Sequence, residues 1–214
     1  LIVAWVTTDE NQIVFKNAMK QEIAKFSAEF EPRCYPDLSI SSDGETFTIG
    51  CDGHLLIYSL QNGQVVCDIG PKNVLNDYQE ETGGIFADET SWSPDGRWIA
   101  FNWQFHLGPK IENEYSGIYL VEVSKDKQDI QCGIPEKVIN LIGSPQFAWT
   151  NSNLLTLINE YDTKSMEIFD PISHQKASSI PLSDPSAVYN MVWSSNDNTF
   201  IYNYDRIFIM SVET

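Results

Sequence analysis

Three histidines, four cysteines and one acidic cluster are the residues of this chain with the richest chemistry. His54, His106 and His174 stand far apart, each beside a turn signal, and no two share the spacing of a metal-ligand pair. A hydrolytic triad needs a nucleophile held against a histidine. The sequence has no G-x-S-x-G elbow, no H-E-x-x-H pair and no phosphate-cradling glycine pattern. Cys34, Cys51, Cys67 and Cys132 form no C-x-x-C pair. Cys51 and Cys67 share strand parity with Phe47 and Ile49, and with Val65 and Ile69, so they read as buried thiols. A disulfide elsewhere stays open, and the compartment with it. Asp77, Glu80, Glu81, Asp88 and Glu89 carry the hard oxygens that calcium takes. They lack the alternating D-x-D-x-D-G order of a loop built for that ion, so a solvated acidic loop is the expected reading. Neither a catalytic residue, a metal site nor a cofactor is expected.

Charge narrows the partners. Thirteen Lys and Arg stand against thirty Asp and Glu, a formal net charge of −17. A field of that sign repels phosphate backbones and anionic headgroups, so nucleic acid is not an expected partner, whereas basic protein surfaces are. No apolar run approaches the roughly 18 residues that span a bilayer, so direct membrane insertion is not expected. The chain opens on Leu1-Ile2-Val3-Ala4 without a basic stretch. It is therefore expected either to have lost a leader or to be cut from something longer.

The elements that would position any site come from internal repetition. Four segments share an outline: 38–49, 90–101, 147–157 and 191–202. Each has a bulky residue before Ser or Thr, at Ile40-Ser41, Trp92-Ser93, Trp149-Thr150 and Trp193-Ser194. A polar turn follows, and then a run rich in β-branched and aromatic residues. Asp43-Gly44 and Asp95-Gly96 tolerate positive φ, so the outline is a β-hairpin. The runs after the turns, such as Trp98-Ile99-Ala100-Phe101, are apolar at both parities, so both faces must be covered. Radially stacked blades do this. Further strands follow at 54–60, 64–69, 118–123, 136–141, 165–169, 176–182 and 206–212. The first thirty residues admit two readings. Phe15, Met19, Ile23, Phe26 and Phe30 sit at helical spacing, with Asp9 as a cap. Alternatively, strands lie at 1–7, 12–16 and 22–28, and consistency with the repeat selects this second reading. The expected fold is all-β, a β-propeller of about five four-stranded antiparallel blades. They cover about 1–30 (partial), 34–70, 88–142, 144–182 and 186–214 (partial), in an incomplete ring. Trp92, Trp98, Trp149 and Trp193 recur at equivalent positions and read as core.

The stretch Ser93 to Phe101, S-P-D-G-R-W-I-A-F, resembles the signature of TolB-type propeller repeats, which are similar to WD-repeat blades. The likeness is sharp at Ser41-Ser42-Asp43-Gly44 and at Ser93-Pro94-Asp95-Gly96. It is degenerate at Asn151-Ser152-Asn153 and at 195–198, and the Trp-Asp pair ending many WD repeats is absent. The resemblance implies a propeller, loosely a binding role, and a periplasmic or extracellular setting.

In a four-stranded meander, the segment entering the first strand and the one joining strands two and three lie on one face. The two longest irregular segments, 71–89 and 106–117, occupy those slots of one blade. They would gather Tyr78, Glu80, Glu81, Phe86, Asp88, His106, Glu112, Glu114 and Tyr115, with Trp103 at the adjoining strand end. Charged groups around aromatics suit a protein interface. The leading expectation is a non-enzymatic scaffold or assembly subunit. The alternative is the propeller of a larger hydrolase, similar to prolyl oligopeptidases, with its catalytic domain outside this sequence.

Overall fold

The structure is a computed structural model describing residues 2–7, 12–17, 19–27, 34–75, 84–106, 109–126, 129–140, 145–159, 162–182, 190–203 and 207–212. Its strands form five consecutive antiparallel meanders. The first holds β1 (Ile2–Thr7), β2 (Gln12–Asn17) and β3 (Glu22–Ser27), so the strand reading of the N-terminal segment holds. The second runs β4 (Cys34–Ile40), β5 (Thr46–Cys51), β6 (His54–Ser59) and β7 (Val65–Ile69). The third runs β8 (Ile85–Trp92), β9 (Trp98–Phe105), β10 (Gly117–Asp126) and then β11 (Asp129–Cys132) and β12 (Glu136–Asn140). The fourth is β13 (Gln146–Trp149), β14 (Leu155–Asn159), β15 (Asp162–Asp170) and β16 (Gln175–Pro181). The fifth is β17 (Asn190–Trp193), β18 (Thr199–Asn203) and β19 (Ile207–Ser211).

The hairpin turns explain why the repeats fold as they do. In the third sheet the Ser93 hydroxyl donates to the Asp95 carboxylate (2.6 Å) and accepts from the Trp98 amide (2.9 Å). Asp95 in turn accepts from the Arg97 amide (3.1 Å). Ser41 and Asp43 repeat this in the second sheet, and Ser194 with Asn196 in the fifth. The fourth residue of each turn is left-handed: Gly44 (φ 74°), Gly96 (70°), Asn153 (61°) and Asp197 (56°). Glycine and Asx residues are the types that tolerate this conformation.

The second, third and fourth sheets are each sandwiched by their sequence neighbours, while the first and fifth pack on one neighbour each. Ile13 and Phe15 meet Phe47 and Ile49 between the first and second sheets. Leu55 and Ile57 meet Ala87, Phe101 and Trp103 between the second and third. Ala100 and Leu120 meet Trp149 and Leu157 between the third and fourth, and Ile158 and Met166 meet Phe200 and Tyr202 between the fourth and fifth. Adjacent residues of β14, Leu157 and Ile158, thus feed different interfaces, which is why the run is apolar at both parities. Gly50 permits the second of these approaches, since a Cβ there would lie 1.9 Å from the Ala87 carbonyl oxygen. Trp92, Trp149 and Trp193 are buried as expected. These meanders form a β-propeller arc of five blades, the first and last with three strands each among the described residues.

Three features depart from the sequence reading. A helix, α1 (Pro109–Tyr115), occupies the segment between β9 and β10. The third sheet begins at Ile85, so Phe86, Asp88 and Glu89 belong to a strand and not to an irregular loop. Cys67 is not a buried thiol: it is disulfide-bonded to Cys132 with the Cα atoms 6.4 Å apart, joining the second and third sheets. Cys51 is also disulfide-bonded, and its ladder partner is Cys34.

Candidate functional site

β9 ends and β10 begins on one face of the arc, beside the entry to β8. There the His106 amide donates to the Gly84 carbonyl (2.6 Å), joining the segment that enters the blade to the one that leaves β9. The His106 ring stands edge-on to Phe86, with centroids 5.6 Å apart. Its Nδ1 lies 3.3 Å from Glu112 Oε1 on α1.

The helix is fastened at its C-terminal end, where carbonyls lack intrahelical partners. The buried Tyr119 hydroxyl donates to the Tyr115 carbonyl (2.5 Å), and Lys137 Nζ donates to the Glu114 carbonyl. Burial pushes the Tyr119 phenol well above its ordinary pKa, so this donor keeps its proton. Beneath the helix, Ile111 and Tyr115 pack on the core shared by the second and third sheets. Ser116 Oγ accepts from the Phe105 amide (2.9 Å), locking the exit from β9. Glu114 projects outward, and its charge raises the pKa of the Tyr115 phenol beside it.

The structure therefore brings Phe86, His106, Glu112, Glu114 and Tyr115 together at one end of the third sheet. Asp88 is half-buried further along β8, opposite Asn102 in the ladder. Tyr78, Glu80 and Glu81 lie outside the described residues. Trp103 belongs elsewhere: it is wholly buried and its Nε1 donates to the Gly53 carbonyl (2.9 Å). A side chain with no exposed surface ties two sheets together and cannot contact a partner.

All three histidines face a carboxylate through Nδ1. His54 meets Asp68 at 2.5 Å, His106 meets Glu112 at 3.3 Å, and His174 meets Glu136 of the preceding sheet at 2.9 Å. Among the described residues, no three His, Cys, Asp or Glu side chains are grouped so as to hold a metal ion. Likewise, no helix among them is long and apolar enough to cross a membrane. What the cluster offers is an acidic, aromatic surface on a fastened helix. Helix α1 had a signal in the sequence, namely Pro109 at the first turn and Ile111 four residues before Tyr115.

No protein-family model matches the chain, and no curated protein matches it in sequence. Solved structures do match. The β-propeller domain of Myceliophteria thermophila Cps50 (Swd1) has a TM-score of 0.61 at 11% identity, over 98% of this chain and 65% of that one. A Bacteroides caccae protein of unknown function gives 0.55 at 13% identity, over 98% and 72%. The dihydro-heme d1 dehydrogenase NirN, in complex with DHE, gives 0.58 at 14% identity, over 100% and 41%. At these identities the likeness speaks for fold, and the fold is that of a β-propeller. The chain spans about two thirds of the Cps50 propeller domain it matches.

Proposed function

We propose that this chain is a non-enzymatic, TolB-type propeller that serves as a protein-interaction scaffold or assembly subunit, engaging a basic partner through the α1 face. The observation that carries this reading is the helix itself. An elaboration between two strands is fixed by Tyr119, Lys137 and Ser116, while Glu112 faces His106, which stands edge-on to Phe86, and Glu114 is exposed to solvent. A pre-organised helix binds without the ordering cost of a mobile loop. The serine–aspartate hairpins support the TolB-type assignment, and the inter-sheet disulfide supports an oxidising compartment, periplasmic or extracellular.

The test is to purify the protein from its source and measure the intact mass of the chain and its companions. A stoichiometric partner is expected, lost when Glu112→Lys and Glu114→Lys are combined and retained when the exposed Glu22 is changed to Lys. A native chain carrying a fused catalytic domain, with no partner, would count against the scaffold.

A further inference from the structure

β10 is longer than its blade. β9 pairs with it only from Gly117 to Glu122, while β11 pairs with Val123 to Asp126. Residues 123–126 and 129–132 thus project past the blade as a two-stranded ribbon. They do so at the end of the strands opposite α1, where the hairpin turns 41–46 and 60–64 of the second sheet also lie. The ribbon leans on that sheet. Lys125 Nζ bonds the Asp43 carboxylate, lies 3.7 Å from Glu45 and sits 6.0 Å from the centroid of the Trp92 ring. Its base is fixed by the Cys67–Cys132 disulfide.

Between ribbon and sheet runs a groove of about 940 Å³. Among the described residues β7 terminates the second sheet, and β11 lies at the outer edge of the third beyond β10, so each presents one unpaired strand edge. The two strands come together at the disulfide and flank the groove away from it. Val66 and Ile130 supply apolar floor, and Asn62 and Gln64 supply amide groups. The charged lining is Glu45, Lys125 and Asp129. Lys125 is already matched by the Asp43 carboxylate, so Glu45 and Asp129 leave the lining net negative.

We infer that this groove is a second binding site, one that takes an extended peptide segment bearing lysine or arginine. Unpaired strand edges supply main-chain hydrogen bonds to an added strand, and alternate side chains give specificity. The flanking carboxylates select basic ones. The site is independent of the α1 face, being at the other end of the strands and built from other residues.

The probe is a capped six-residue peptide alternating valine with lysine, titrated into the full chain by calorimetry, with its glutamate counterpart as reference. The lysine peptide is expected to bind and the glutamate peptide not to. Combining Glu45→Gln with Asp129→Asn should weaken binding about five-fold or more. The charge-matched pair Glu22→Gln with Glu136→Gln, distant from the groove, should change it less than about two-fold. Equal loss in both pairs would show that the net charge of the protein does the binding, and would overturn the site. So would no binding by wild type, or binding of a neutral oligosaccharide lost in the groove variants while the peptide is ignored.

Discussion

Asp197 lies in a turn that departs from the serine–aspartate–glycine pattern, and its carboxylate reaches back across a sheet boundary. It accepts from the backbone amides of Asn151 (2.6 Å) and Ser152 (2.8 Å) and from the Ser152 hydroxyl (2.7 Å). Partial burial pushes this carboxyl up, but the hydrogen bonds from Asn151 and Ser152 outweigh it and hold the pKa below the ordinary value. A carboxyl depressed in the folded state stabilises above its unfolded pKa, near 4, and loses that contribution as pH falls through the folded value. Asp197→Asn, which keeps a residue type that tolerates the left-handed backbone, should therefore cost about 1 kcal/mol at neutral pH. The gap from wild type should close as urea unfolding is repeated at pH values below the ordinary aspartate range. A gap that persists in acid would show that the charge is not what holds the turn. Tyr119 is the second residue with a testable duty. Tyr119→Phe removes the donor to the Tyr115 carbonyl, with an expected cost of about 1 kcal/mol. Amide exchange should quicken over 109–116 while the β9–β10 ladder stays protected.

At the scale of elements, most strands were legible because their hairpins are local. Asp95-Gly96 announces a turn, Trp98 to Phe101 announces a strand covered on both faces, and the observed β9 begins at Trp98. The candidate site was legible in part, through the placing of two long segments on one face. Helix α1 escaped because seven residues with two apolar positions are too few for periodicity to register. The ribbon escaped because its polar residues, Ser124 to Asp126, resemble a turn. Trp103 was misplaced because its position at a strand end gives no measure of what lies above it. The Cys67–Cys132 bond escaped for a different reason, since strand parity reports which face a residue uses but not which strand packs there. Its 65-residue separation makes it a substantial constraint on the unfolded chain. Replacing both cysteines with alanine should cost up to about 4 kcal/mol by the chain-entropy relation, read as a fall in the urea midpoint. It should also loosen the ribbon, detectable as faster exchange over 123–132. An unchanged midpoint would mean that neighbouring sheets are held by packing alone.

For the whole molecule, sheet-to-sheet contacts follow sequence order, which gives the energetics of a quasi-one-dimensional array. The face of the fifth sheet away from the fourth carries Val192, Ile207 and Ile209, which are 56%, 73% and 70% exposed. An exposed apolar sheet face favours association. The 214-residue chain should show a concentration-dependent mass in sedimentation, and Ile207→Lys with Ile209→Lys should return it to monomer. A monomer at all concentrations would show that this face is satisfied within the chain. Many of the fastenings between sheets reach backward along the sequence. The Asn153 side chain accepts from the Asp95 amide, the Trp149 indole donates to the Ser91 carbonyl, and Lys125 reaches Asp43. During synthesis, then, each blade leaves the ribosome before the side chains that will clasp it have been made. The newest blade is always the loosest, and the chain sets firm from its beginning, one blade behind its own growth.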